Sequence, residues 1–182
     1  MNTSSWLGSR CGTMSKPVET KLVAFVAAMG ALSNVLGFIV VPVGPMTLHL
    51  IQLPIVFSGL AVGPFAGGLV GFFGAFVMAF TLSKPNPYIV VGNAILGFLT
   101  GTFYSKLRHM SRRSILPQVI SVVLAYALQM PYVYVTDVYL MGMPSPVVLS
   151  ILVVLLVEDV MSTMISHVIL YRVNINEFLS QH

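Results

Sequence analysis

Charge is what this sequence has least of. Only 8% of its 182 residues are Asp, Glu, Lys or Arg, where an average soluble domain carries about 25%. Five acids and nine bases cannot supply the polar shell that a soluble chain of this length needs around its core. Cysteine is almost missing as well: Cys11 stands alone, which excludes an intrachain disulfide framework and a thiolate metal cluster. No HExxH, GxSxG or Walker A sequence occurs, and the four histidines are scattered at 49, 109, 167 and 182. No enzyme, cofactor or metal template is therefore supported, and the chain cannot drive transport by ATP hydrolysis on its own.

What is present is hydrocarbon. Hydrophobic residues make up 57% of the chain, broken into runs of membrane-crossing length, about 20 residues. The fold class implied is all-α: a polytopic membrane protein of one domain with six helices, at about Lys21–Val41, Leu50–Val62, Phe65–Leu82, Tyr88–Leu107, Ile115–Met141 and Val147–Tyr171. Residues 1–20 are polar and carry no apolar core of signal-peptide length, so they are expected to form a disordered leader. Met14 opens MSKPVETK, an alternative start. Residues 21–172 form the membrane domain and 173–182 a short polar tail.

The punctuation is specific. Pro42, Gly44 and Pro45 forbid a continuous helix between the first two spans, and Gly63-Pro64 separates the second from the third, with Pro54 near the first turn of the second. The second helix is short for a bilayer. Ser83–Pro87 (SKPNP) is a turn, Pro131 should kink the fifth helix, and Gly142–Pro146 is a second turn. Small residues recur four apart along helices: Ala24/Ala28 and Ala27/Ala31, then Gly67/Gly71/Ala75, then Gly97/Gly101. Such stripes permit close helix approach in lipid. The glycine stripes suit packing within the chain, whereas the alanines suit either that or docking of another subunit.

Charge placement orients the chain. With both termini on the cytoplasmic side, eight of the nine Lys/Arg lie inside and Lys84 alone lies outside, as the positive-inside rule requires. Depth then follows for each polar residue. Asn34, Tyr88, Asn93, Gln129, Tyr132, Tyr134 and Asp137 fall in the outer half, joined by His49 and Gln52 after the first loop, with Glu158 and Asp159 near mid-depth. An ionised carboxylate at the bilayer centre costs at least ~2.5 kcal/mol, so Glu158 and Asp159 must face protein or water. Adjacent on a helix, they point about 100° apart. Either carboxylate could be bonded to a neighbouring helix, or line a ligand cavity or subunit contact.

The order of KLVAFVAAMGALS, a Pro/Gly loop, LPIVFSGLAVGP, FAGGLVGFFGAF and NPYIVVGNAILGFLTGTFYSKL with a basic turn resembles the substrate-binding S components of energy-coupling factor (ECF) transporters. The likeness spans about Lys21 to Tyr171. It implies a membrane subunit of an ATP-driven importer that captures a vitamin or related micronutrient from outside, works with a transmembrane scaffold and two ATPase subunits, and resides in the cell membrane. It also implies that an alanine pair in the first helix (Ala24/Ala28 or Ala27/Ala31) docks on the scaffold, and that Val41–His49 gates the pocket. The chain lacks the histidine behind the initiator expected of a nickel or cobalt member, and VPVGPMTL is loosely like the biotin branch while the later helices depart from it. The expected pocket comprises Asn34, His49, Gln52, Asn93, Gln129, Tyr134, Asp137, Glu158 and Asp159. A self-sufficient channel or secondary carrier is the alternative; it would need a polar path past Ser162, Thr163, Ser166 and His167.

Overall fold

The structure, a computed structural model, describes residues 16–43, 46–81, 85–109 and 114–172. Cys11, Met14, Gly44, Pro45, Lys84, Arg112, Arg113 and the residues from 173 lie outside the described residues. The elements run α1 (Lys16–Gly37), β1 (Val40–Val43), β2 (Met46–His49), α2 (Gln52–Ala61), α3 (Pro64–Gly74), α4 (Phe76–Thr81), α5 (Tyr88–Leu107), α6 (Leu116–Val135) and α7 (Ser145–Arg172). A π-helical turn, Thr136–Leu140, prolongs α6.

Four stretches are long and apolar enough to cross a bilayer: Thr20–Gly37, Tyr88–Leu107, Leu116–Leu140 and Ser145–Arg172. Two shorter apolar helical stretches, Gln52–Ala61 and Pro64–Phe80, complete six. At about 1.5 Å per residue α2 reaches only roughly 15 Å, half a hydrocarbon core. Large apolar side chains such as Phe65, Phe73, Phe80, Val153 and Val168 lie exposed on the outside, as a lipid-facing surface requires. The chain is a helical polytopic membrane protein.

Several boundaries differ from those expected. The first helix begins at Lys16, inside the expected leader, and stops at Gly37 instead of Val41. It stops there because the Pro/Gly loop is an antiparallel hairpin, with Val40 opposite His49 and Pro42 opposite Thr47. Pro42 is tolerated in this ribbon because, among the described residues, each strand pairs along one edge only. The third helix is broken at Ala75, separating α3 from α4. Pro64 opens α3 after Gly63, whose φ of 121° is open to glycine and strained for other residues. The fifth helix runs through Pro131 and ends in the π-helical turn.

Packing follows the glycine stripes. α3 lies against α5 so closely that a Cβ at Gly71 would meet the Asn93 carbonyl, and one at Gly97 the Gly67 carbonyl. α2 joins the same junction, with Gly59 against Gly97 and Thr100. Val26, Ile51, Ile55, Ala66 and Val70 form the core where α1, α2 and α3 meet, while Leu96, Ala125 and Tyr126 fill the space between α5 and α6. The alanine stripe of α1 behaves differently. Ala24, Ala27, Ala28 and Ala31 are exposed, while Val26, Gly30 and Ser33 make the buried face. Among the described residues nothing buries that stripe.

Candidate ligand cavity

The hairpin, the α4–α5 link and the α6–α7 turn gather at one end of the bundle, and beneath them lies a cavity of about 440 Å³. That volume falls in the usual range for small-molecule sites, roughly 300–1,000 Å³. Each long helix that lines it contributes one face. From α6 and its π-helical extension come Gln129, Tyr132, Val133, Thr136 and Asp137, at spacings of three, four, seven and eight from the first, which place them on one side. From α7 come Val147, Ile151, Val154, Leu155 and Glu158, again at helical spacing. Tyr88, Ile89, Gly92 and Asn93 come from the start of α5, His49, Ile51 and Gln52 from the hairpin and α2, and Met78, Asn86 and Met143 from the links.

Polar side chains both build this cavity and face it. The backbone N–H of His49 donates to Glu158 Oε1 at 2.6 Å, and His49 Nδ1 lies 3.2 Å from the Gly37 carbonyl. The end of the hairpin is thus tied to α7 and to the end of α1. Ser33 adds a third tie, donating its hydroxyl to the Ile51 carbonyl at 2.8 Å. At the α4–α5 link Asn86 donates to Asp137 Oδ1 at 2.9 Å, accepts from the Tyr88 N–H at 3.1 Å, and donates its own N–H to the Ala79 carbonyl at 2.8 Å. Asn86 therefore holds the α4–α5 link onto the end of α6. Gln129 Nε2 donates to the Gly92 carbonyl at 3.0 Å, and the Tyr132 hydroxyl to the Tyr88 carbonyl at 3.3 Å.

Two carboxamide oxygens are left over. Gln52 Oε1 and Asn93 Oδ1 are buried without a hydrogen-bond partner, although the Asn93 amide donates to the Ile89 carbonyl at 3.0 Å. A buried acceptor without a partner costs about 1–3 kcal/mol. Both oxygens belong to residues that line the cavity. Apolar walls with a few convergent amides and carboxylates suit a largely apolar, flat molecule with N–H and O–H groups at its edges.

Of the nine residues expected to line the pocket, the structure brings six together: His49, Gln52, Asn93, Gln129, Asp137 and Glu158. Asn34, Tyr134 and Asp159 lie elsewhere. Asn34 is not among the residues that line the cavity. Its amide donates to the Gly30 and Phe73 carbonyls at 2.9 and 2.8 Å, and its oxygen accepts from the Val77 N–H at 3.0 Å, at the α3–α4 break. Tyr134 sits five residues after Gln129, about 140° around the helix from the lining face. Asp159 is rotated about 100° from Glu158 and is 1% exposed, inside the bundle and away from the cavity lining. Asn86, Tyr88, Tyr132 and Thr136 were not among the nine. The helical spacing from Gln129 was the available signal for Tyr132 and Thr136, whereas nothing local marks Asn86 within SKPNP as more than a turn residue.

Comparisons with known proteins converge. Residues 17–175 match the family model described as ECF-type riboflavin transporter, S component. Among solved structures, the S component of a bacterial ECF transporter superposes with a TM-score of 0.63 at 19% identity, covering 90% of this chain and 99% of that one. The S component for biotin from an ECF-type ABC transporter superposes with a TM-score of 0.65 at 19% identity, covering 88% and 94%. At such identities the likeness carries the fold alone. A comparison with curated proteins gives no match.

Proposed function

The chain belongs to the family of ECF-type riboflavin transporter S components, and from that premise we propose that its cavity captures riboflavin on the outer side of the cell membrane for ATP-driven import. An S component is a membrane subunit that binds substrate. The observation that carries the choice of ligand, beside the family, is the pairing of apolar walls with unpartnered carboxamide oxygens at Gln52 and Asn93. Riboflavin has a flat tricyclic ring, one edge of which alternates carbonyl and N–H groups, and a polyhydroxyl chain. The ring suits the apolar wall of Ile89, Ile151, Val154 and Leu155, and its imide edge suits side-chain amides, which offer a donor and an acceptor together.

In this arrangement the hairpin end faces outward and both termini face the cytoplasm, the orientation that the basic residues favour. The partners are a transmembrane scaffold and two ATPase subunits that supply the energy. The exposed alanine stripe of α1, where small side chains allow a foreign helix to approach closely, is the surface offered to the scaffold.

Riboflavin titration of the purified protein tests the ligand, read by quenching of flavin fluorescence and by flavin released on denaturation. Saturable binding of one flavin per chain is expected. Absence of flavin both in the purified protein and after titration would overturn the assignment.

A further inference from the structure

The cavity is acidic at both ends. Met143 N–H donates to the Asp137 carbonyl at 3.0 Å, which places Asp137 beside the α6–α7 turn, next to the start of α7. Glu158 lies eleven residues beyond Val147, the first α7 residue on the wall, and thus roughly 16 Å further along the helix. Between the two carboxylates the α7 wall is entirely apolar: Val147, Ile151, Val154 and Leu155. Among the described residues no Lys or Arg lines the cavity. His49 is the lining residue able to carry positive charge, and its backbone N–H is already engaged by Glu158 while its Nδ1 faces the Gly37 carbonyl.

We propose that this slot is a filter against anionic ligands, with Asp137 and Glu158 as its specificity-determining residues, so that the vitamin is taken in preference to its phosphorylated form. The inference rests on the flavin assignment above and adds a property that assignment does not contain. A phosphate on the ligand meets a carboxylate at whichever end it lies, in surroundings of low dielectric where like charges repel more strongly than in water. An uncharged chain of hydroxyls donates to the same carboxylates. At the Glu158 end the penalty extends to the gate, because Glu158 is both the cavity wall and the acceptor that holds His49. An anion pressed against it loosens the hairpin as well as losing its own contact.

The test compares riboflavin with riboflavin 5′-phosphate on the purified full chain, for the wild type, Glu158→Gln and Asp137→Asn. The wild type should bind the vitamin at least about 30-fold more tightly than the phosphate, and at least one amide variant should narrow that ratio by about fivefold or more. The ratio is the readout because a loss of packing alone weakens both ligands together. A wild-type ratio within about threefold overturns the filter, as does a ratio left unchanged by both substitutions. Where a variant does not fold, the wild-type ratio and the other variant still decide. Failure of riboflavin itself to bind is a different result, which removes the flavin assignment and this inference with it.

Discussion

Asn34 replaces a hydrogen bond that the backbone itself has given up. In an unbroken helix the Val77 N–H would donate to the Phe73 carbonyl; at the α3–α4 break the Asn34 carboxamide is inserted between them, Oδ1 accepting from Val77 at 3.0 Å and Nδ2 donating to Phe73 at 2.8 Å. Leucine in its place keeps the volume and removes both bonds. An unsatisfied backbone group facing hydrocarbon costs several kcal/mol. The chain can escape part of that by closing the break, which would move α4 and with it Met78 on the cavity wall. Side-chain hydrogen bonds in a membrane bundle average ~0.6 kcal/mol with a maximum near ~1.7, so two of them with partial relaxation give an expected loss of about 2 kcal/mol. For a chain of this size that corresponds to roughly 4–8 °C in midpoint temperature. Thermal unfolding of detergent-solubilised Asn34→Leu, followed by size-exclusion fluorescence, measures it. A midpoint within about 1 °C of wild type would refute the bridging role, and wild-type stability with loss of riboflavin binding would return Asn34 to the cavity.

Three further outcomes follow from the packing. Gly97→Ala drives a Cβ into the Gly67 carbonyl, and because backbone must move, a destabilisation of about 3 kcal/mol or failure to accumulate in the membrane is expected in the same unfolding assay. Asn86→Leu strips both side-chain hydrogen bonds from the α4–α5 link; riboflavin should dissociate at least about tenfold faster, the equivalent of ~1.4 kcal/mol, in a stopped-flow chase. Ala28→Trp fills the exposed stripe of α1 away from the cavity, so uptake in cells carrying the ATPase module should be lost while riboflavin binding to the purified protein persists; undiminished uptake would show that the stripe does not dock.

Much of the architecture was legible because a bilayer imposes few solutions. Runs of about 20 apolar residues must be helices, and the bounds of α5 were readable to the residue because SKPNP forbids a helix before Tyr88. The hairpin was less legible. Pro42 and the Gly44-Pro45 pair read as a loop, and pairing between Val40–Val43 and Met46–His49 emerges only when both segments are held over the bundle. The break at Ala75 has no local signal at all, since its compensation comes from Asn34, more than forty residues earlier.

The candidate site divides along the same line. The sequence by itself determined that this chain lies in a membrane and where most of its helices begin and end to within a few residues, because hydrophobic length and the prolines and glycines that interrupt it set those quantities one residue at a time. Direction around each helix axis was decided by tertiary structure. Glu158 and Asp159 share a depth, yet one holds the hairpin over the cavity and the other is sealed inside the bundle. Asn34 and Gln52 were both expected in the outer half, and only Gln52 meets the cavity. The physical reason is that depth depends on the bilayer, which every residue meets alike, whereas the azimuth of a side chain depends on which glycine faces let neighbouring helices close together, and that is a property of the assembled bundle.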